Sequence, residues 1–166
     1  MKLPQFLYRS ERIGLHGKKF SLLKFRTLKE DFLGNYTTEQ SYTKFGKFLR
    51  KTKLDELPQI LAVLRGQMSL VGPRPELPET IGLIPKDIRK ILLSVKPGLT
   101  SLSSIHFADE EKLIQQGLDN TYDYYARIKP AKILLDVFYV QNKCLPLNLA
   151  ILWMTLKLVI KKICGR

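Results

Sequence analysis

The chain has 166 residues and a mass of 19.2 kDa, which fits a single domain of ordinary size. A hydrophobic fraction of 45% is ample for a packed core, so wholesale disorder is excluded. Lys and Arg outnumber Asp and Glu by 28 to 15, which gives a net charge of +13. Such a surface attracts nucleic acid, anionic lipid headgroups or phosphorylated metabolites, and charge alone does not choose among them.

The cysteine and histidine content excludes two kinds of structure. The chain has only Cys144 and Cys164, and only His16 and His106, all far apart in sequence. This pattern predicts neither a disulfide framework nor a His/Cys metal cluster. Any metal is expected to be a hard cation held by carboxylates and phosphate oxygens.

The N-terminal part predicts a basic β-hairpin. FLYRSERIG and KKFSLLKFRT are strand-like runs separated by residues 15–17, and no apolar signal-peptide core precedes them. Lys24 and Arg26 lie two residues apart, so they point to one face of the strand and can meet the same anion. A solvated basic face is the commoner explanation of such a pair. Residues 29–42 are polar and predict a loop or flexible lid.

Two helices are predicted next. KFGKFLRKTK carries basic residues without an acid, and Phe45, Phe48 and Leu49 recur at helical spacing, so one side can pack. DELPQILAVLRG is the second helix, with Asp55 suited to the N-cap and Gly66 as its end. Its apolar residues share one face: Leu57, Ile60, Leu61 and Leu64.

The remaining sequence predicts a mainly helical α+β single domain over residues 1–166, with one small antiparallel sheet. SLVGPRPELPE is an extended loop stiffened by prolines, and KPGLT is a turn. PKDIRKILLSV, ADEEKLIQQG, NTYDYYARIK and AKILLDVFYVQNK are helical, the first with Ile88, Ile91, Leu92 and Val95 facing inward. Residues 145–162 fall short of the roughly 18 apolar residues that span a bilayer. They favour a buried helix, the alternative being a helix in the membrane interface with Trp153 at headgroup level.

Two adjacent carboxylates, Asp55 and Glu56, have two interpretations. The commoner one is a helix cap, in which both acids favour the helix N-terminus. In the other, an ionised Asp at a helix N-terminus attacks a bound phosphoryl group or holds its magnesium ion. Arg74, fixed between two prolines, is either an exposed residue of a rigid connector or a preorganised phosphate ligand.

Taken together and in order, RIGLHGKKFSLLKFRTL, GKFLRKTKLDELPQILAVLRGQMSLVGPRPE and KPGLTS resemble the bacterial sugar transferase family, the monotopic phosphoglycosyl transferases. The resemblance runs from about residue 8 to residue 100 and more loosely beyond. It implies an enzyme at the cytoplasmic face of the bacterial inner membrane that initiates glycan synthesis. Such enzymes transfer a phospho-sugar from a nucleotide diphosphate sugar, usually a UDP-sugar, to polyprenol phosphate.

The resemblance also implies the roles of individual residues. Asp55 would be the nucleophile that forms a covalent phosphosugar–enzyme intermediate, and Glu56 would support magnesium binding or proton handling. Mg²⁺ would lie at Asp55 and Glu56. Lys24, Arg26 and Arg74 would bind substrate phosphates. An anionic membrane surface is the expected partner, and the sequence leaves the oligomeric state open, a homo-oligomer included.

The sequence departs from the family pattern at two places. Family members begin with a hydrophobic broken helix, whereas this chain starts almost directly at FLYRSERIG, so we expect that anchor to be absent. Ser101 follows KPGLT where glycine is common, so the sugar is not assigned. A non-catalytic membrane- or partner-binding relative is the alternative function. Nucleic-acid binding is not expected, because the basic residues are spread over several elements without a recognition motif.

Overall fold

The computed structural model describes residues 4–29, 41–108 and 127–164. Strands β1 (Leu7–Ile13) and β2 (Lys19–Phe25) form an antiparallel hairpin in which Tyr8 lies opposite Lys24. A 3-10 turn, Leu15–Gly17, joins them, and Gly17 takes the left-handed φ of 78° that a tight reversal requires. The predicted hairpin is therefore confirmed.

The rest of the described chain is mostly helical, which confirms the α+β class. The helical elements are α1 (Lys44–Thr52), a 3-10 helix (Leu54–Gln59), α2 (Ile60–Leu64), α3 (Pro78–Ile81), α4 (Lys86–Leu92), α5 (Leu102–His106), α6 (Lys129–Gln141) and α7 (Leu145–Cys164). The inward face predicted for α4 is confirmed, since Leu92 is buried and its apolar neighbours are half-buried. The two short helices predicted over 108–129 and the predicted loop over 29–42 lie mostly outside the described residues.

A second sheet corrects the prediction of a single antiparallel sheet and of a simple turn at KPGLT. β3 (Ser69–Val71) pairs in parallel with β4 (Gly98–Thr100). A Cβ atom at Gly98 would lie 2.1 Å from the backbone nitrogen of Gly72, so the crossing requires glycine. Strands this short carry no periodicity, and their pairing depends on residues 29 positions apart, which is why sequence patterns do not reveal them.

Two apolar clusters form the core of the described structure. Phe20 and Leu22 of β2 pack with Ala62 of α2 and with Met68. The other cluster joins Val71, Tyr139 and Ile151, and so holds β3, α6 and α7 together. The first cluster packs the hairpin against α2 and Met68, and the second packs β3 against the C-terminal helices α6 and α7.

Several apolar side chains lie at the surface, against expectation. In α1 only Leu49 of the predicted apolar side is buried, whereas Phe45 is 68% exposed and Phe48 is exposed as well. The apolar face shared by the 3-10 helix and α2 is also exposed, with Leu64 at 78%. Ile151 is the fully buried side chain of α7, while Trp153 is exposed, so the buried-helix interpretation of residues 145–162 is wrong for most of its length. Among the described residues, no helix has the length and apolar character needed to cross a bilayer.

Candidate active site

Asp55 does not cap a helix. Lys53 occupies the N-cap of the 3-10 helix with a left-handed φ of 62°, which turns the chain sharply after α1. Asp55 lies inside the 3-10 helix and is only 5% exposed, and no described donor reaches its Oδ1 atom. The helix-cap interpretation of Asp55 is therefore wrong. Because buried acceptors are nearly always hydrogen-bonded, an unsatisfied carboxylate oxygen supports a chemical role for Asp55.

Glu56 holds together three separate parts of the chain. Its Oε1 atom accepts hydrogen bonds from Lys24 Nζ at 2.8 Å and from Arg74 Nη2 at 3.2 Å. Lys24 comes from β2, and Arg74 comes from the loop after β3. The structure thus brings the predicted site residues Lys24, Glu56 and Arg74 together beside Asp55.

The two adjacent carboxylates have pKa values displaced in opposite directions. Burial works against ionisation of Glu56, but the charges of Arg74 and Lys24 prevail and lower its pKa to about 2. Burial, followed by the charge of Glu56, raises the pKa of Asp55, although Lys24 and other cations oppose the shift. Glu56 is therefore a fixed anion that organises cations, and Asp55 is the more basic and hence more nucleophilic of the pair.

Arg26 lies one residue beyond the end of β2, with an exposed side chain. Its backbone N–H donates to the carbonyl oxygen of Phe6 at 2.8 Å, which continues the hairpin ladder. Its role in binding phosphate stays a prediction.

Three further residues surround the site and were not singled out in the sequence. Burial and the charge of Arg74 lower the pKa of Arg12, whose Nη1 atom donates to the Pro75 carbonyl oxygen at 3.4 Å. Burial also lowers the pKa of Lys53, against the charge of Glu56. Asp136 of α6 accepts the backbone N–H of Arg74 at 3.1 Å. Only Asp136 had a visible signal, as a single charge within the apolar run ILLDVFYV.

A cavity of about 150 Å³ adjoins Arg74 on the side of α6. Its charged lining comes from β1, from the loop after β3 and from α6, and consists of Arg12, Arg74, Glu76, Lys129, Lys132 and Asp136. Four of these six side chains are basic. The site therefore continues from the dyad into a concave and predominantly positive region.

The residues present are chemically suited to a hard divalent cation bound together with a phosphate. Mg²⁺ in phosphoryl-transfer sites is commonly held by one or two carboxylates plus phosphate oxygens and water. Asp55 Oδ1 offers an oxygen that no described donor occupies, and Glu56 adds a second carboxylate. The described residues contain no cluster of three or more His, Cys, Asp or Glu that would hold a metal without substrate.

The model for the family described as "Bacterial sugar transferase" matches residues 2–162. The chain belongs to the bacterial sugar transferase family. The sugar transferase EpsL of Bacillus subtilis, itself described as uncharacterized, is 38% identical over 92% of this chain and 69% of its own length.

Two further relatives have names that state an activity. The undecaprenyl-phosphate galactose phosphotransferase of Salmonella typhimurium is 34% identical over 94% of this chain. The UDP-glucose:undecaprenyl-phosphate glucose-1-phosphate transferase of Klebsiella pneumoniae is 33% identical over 90% of it. This sugar transferase chain spans only 33% and 31%, respectively, of the length of these two relatives. In both cases the match includes most of the elements that build the Asp55 site.

Proposed function

We propose that this chain transfers a phospho-sugar from a nucleotide diphosphate sugar, with UDP-sugars as the expected donors, to polyprenol phosphate. Membership of the sugar transferase family and the names of two relatives support this reaction class. The observation that carries the proposal is Asp55, a buried carboxylate that lies among cations and has an oxygen that no described donor reaches. A protein that only binds anions has no use for a desolvated nucleophile at this position.

In the first step, a carboxylate oxygen of Asp55 attacks the phosphorus atom that bears the sugar. A bond forms between that oxygen and phosphorus as the phosphoanhydride bond breaks. The nucleoside monophosphate leaves with the electron pair of the broken bond, and the sugar phosphate remains on Asp55 as an acyl phosphate. The raised pKa of Asp55 favours attack, because a more basic carboxylate is a better nucleophile.

In the second step, a phosphate oxygen of the polyprenol phosphate attacks the same phosphorus. The acyl phosphate bond breaks, its electron pair returns to the Asp55 carboxylate, and a polyprenol diphosphate sugar is released. Dividing one displacement between two anions into two steps lowers the barrier of each.

The cations around the dyad make an encounter between anions possible. Arg74 and Lys24 are held by Glu56 at hydrogen-bonding distance, so they are positioned before the substrate arrives. Asp55 and Glu56 would hold Mg²⁺ together with the diphosphate, where the ion would neutralise charge developing on the leaving group. Arg74 then acts as a phosphate ligand whose position is set by its hydrogen bond to Glu56.

The exposed surface supports action at a membrane. Helix α1 contacts both the 3-10 helix and α7, and each of these elements exposes large apolar side chains. Lys44, Lys47 and Lys51 of α1 are exposed beside them. Apolar and cationic side chains in one region suit the headgroup layer of an anionic bilayer, where a polyprenol phosphate would be reached. We place the enzyme at the cytoplasmic face of the inner membrane, where nucleotide sugars are available.

Trapping of the intermediate tests the proposal. The protein is incubated in detergent with Mg²⁺ and a panel of UDP-sugars radiolabelled in the sugar, without lipid acceptor, and the label on protein and the UMP released are measured. The wild-type protein should acquire label at Asp55, and Asp55→Asn should acquire none. Asp87→Asn, which removes an exposed aspartate of α4, is the matched control and should label normally. Normal labelling of Asp55→Asn, or none of the wild type with any donor, would contradict the proposal.

A further inference from the structure

The Pro73-Arg74-Pro75 segment has a single backbone hydrogen-bond donor, the N–H of Arg74. Arg74 lies between Pro73 and Pro75, and proline has no N–H. The Arg74 N–H donates to Asp136 Oδ2 at 3.1 Å, across 62 positions of the sequence. Asp136 is 6% exposed, so this bond is shielded from water. The Pro73–Arg74 peptide is thus held at both ends: its carbonyl oxygen accepts the Gly98 N–H at 2.9 Å, and its N–H donates to one buried carboxylate.

Helix α6 fixes the same loop at two other points. The Tyr139 hydroxyl donates to the Val71 carbonyl oxygen at 3.1 Å, and Lys129 Nζ donates to Glu76 Oε1 at 2.6 Å. Lys129, Asp136 and Tyr139 are separated by seven and three positions, so they lie along one side of α6. The loop between β3 and α3 is therefore held on α6 by three side chains, and Asp136 is the one that contacts Arg74.

The hydrogen bond from the Arg74 N–H to Asp136 fixes the backbone orientation, and this orientation sets the direction in which the Arg74 side chain extends. Arg74 Nη2 lies 3.2 Å from Glu56 Oε1, and Nη1 lies 3.3 Å from Ser104 Oγ. If the Arg74 peptide rotated, the side chain would leave from a different direction and these two contacts would separate. Burial raises the pKa of Asp136 to about 6, so above that pH its ionised carboxylate holds the Arg74 N–H more strongly than a neutral acceptor would.

We propose that Asp136 is a positioning residue that sets the Arg74 guanidinium against Glu56. Asp136 touches no reacting atom of the proposed reaction and acts only through Arg74. The structural part of the proposal stands on the contacts above, and its consequence for turnover rests on the proposed function.

Hydrogen exchange of the Arg74 backbone amide tests the structural part of the proposal. The protein is labelled with ¹⁵N-arginine, the Arg74 signal is assigned by its loss in Arg74→Lys, and its hydrogen exchange is followed at constant pH. Asp136→Leu should speed this exchange by about tenfold or more, since a shielded bond to a charged acceptor is lost. Asp136→Asn keeps an acceptor and should stay much closer to wild type. Tyr139→Phe, which cuts the neighbouring bond on α6, is the matched control and should leave Arg74 protected.

A double-mutant cycle tests the functional part. Asp136→Leu should lower kcat/KM for UMP release by about tenfold in the wild-type background and have little further effect with Arg74→Ala. The proposal would be overturned if the kcat/KM losses of Asp136→Leu and Arg74→Ala multiplied in the double mutant. It would also be overturned if hydrogen exchange of the Arg74 amide were unchanged in Asp136→Leu. If the wild-type protein shows no turnover, the proposed function fails and the exchange experiment alone decides the role of Asp136.

Discussion

Asp55 and Glu56 are chemically similar neighbours that the fold places in opposite electrostatic environments. Glu56 lies against two cations, whose charges outweigh its burial and hold its pKa near 2. No described donor reaches Asp55 Oδ1, and burial next to the anion Glu56 raises the pKa of Asp55. Separation of two carboxylates in this way supports the proposed division of tasks, in which Glu56 is structural and Asp55 is reactive.

The low pKa of Glu56 makes stability depend on pH in a defined direction. Its folded pKa of about 2 lies below the ordinary glutamate value of 4.5, so its contribution is complete above pH 4.5 and is lost as the pH falls toward 2. From this shift, Glu56→Gln should lower the free energy of unfolding at pH 7 by on the order of 3 kcal/mol. Urea unfolding of both proteins from pH 3 to pH 7 should show the difference shrinking toward the acidic end.

A surface ion pair supplies the control for this measurement. Glu11 contacts Lys19 at 2.8 Å, but both side chains are more than half exposed. Glu11→Gln should change the unfolding free energy by less than about 1 kcal/mol, because water and salt screen exposed pairs. Equal losses in the two variants would mean that the contacts of Glu56 with Lys24 and Arg74 carry no special stability.

At the scale of elements, local sequence patterns predicted the helices and strands that local interactions stabilise. The hairpin and α6 follow from runs of strand and helix periodicity, and both are confirmed. Asp55 as a helix cap was wrong, because the left-handed turn at Lys53 starts the helix earlier and in the 3-10 form. The exposure of Phe45 and Phe48 was also missed, since periodicity identifies an apolar side of a helix without telling what covers it.

The candidate site was predictable only in part for a related reason. Residues 24, 55, 56 and 74 were found through ordered motifs, and the structure brings Lys24, Glu56 and Arg74 into contact. Asp136 and Arg12 reach the site from elements far away in sequence. Their contribution depends on how α6 and β1 pack around the Arg74 loop, which no single-sequence pattern encodes.

The short parallel sheet should be intolerant of any side chain at its crossing. In Gly98→Ala the added Cβ would lie 2.1 Å from the Gly72 nitrogen, and backbone atoms cannot move aside cheaply. We expect a loss of about 3 kcal/mol in unfolding free energy, as for overpacked cores. Thermal and urea unfolding would measure it, and Arg74 should lose amide protection as the adjacent loop shifts.

Gly82→Ala is the matched substitution. Gly82 has a helical φ of −66°, and a Cβ there would meet nothing within 4 Å. Its stability should stay within about 1 kcal/mol of wild type. A Gly98→Ala variant as stable as Gly82→Ala would contradict the close β3–β4 crossing.

At the scale of the whole molecule, the proposed membrane contact combines charge with apolar exposure. We expect the net charge of +13 to draw the protein toward anionic lipid over a distance of about one Debye length, roughly 10 Å at moderate salt. Apolar side chains of α1, α2 and α7 can then enter the interface, a contribution that salt does not screen. Binding to vesicles should therefore have a salt-sensitive and a salt-resistant component.

Substitution of two exposed leucines tests whether this surface, and not another part of the molecule, contacts the membrane. Leu64 of α2 continues the exposed apolar face of the 3-10 helix and is 78% exposed, whereas Leu83, between α3 and α4, is 71% exposed and belongs to none of the proposed membrane-facing elements. Leu64→Ser should weaken sedimentation with phosphatidylglycerol-containing vesicles by about tenfold at high salt, the effect expected when one inserted leucine is lost. Leu83→Ser should bind as the wild type does. Equal weakening by both substitutions would place the membrane contact elsewhere. Salt-independent binding to neutral phosphatidylcholine vesicles would remove the role of charge.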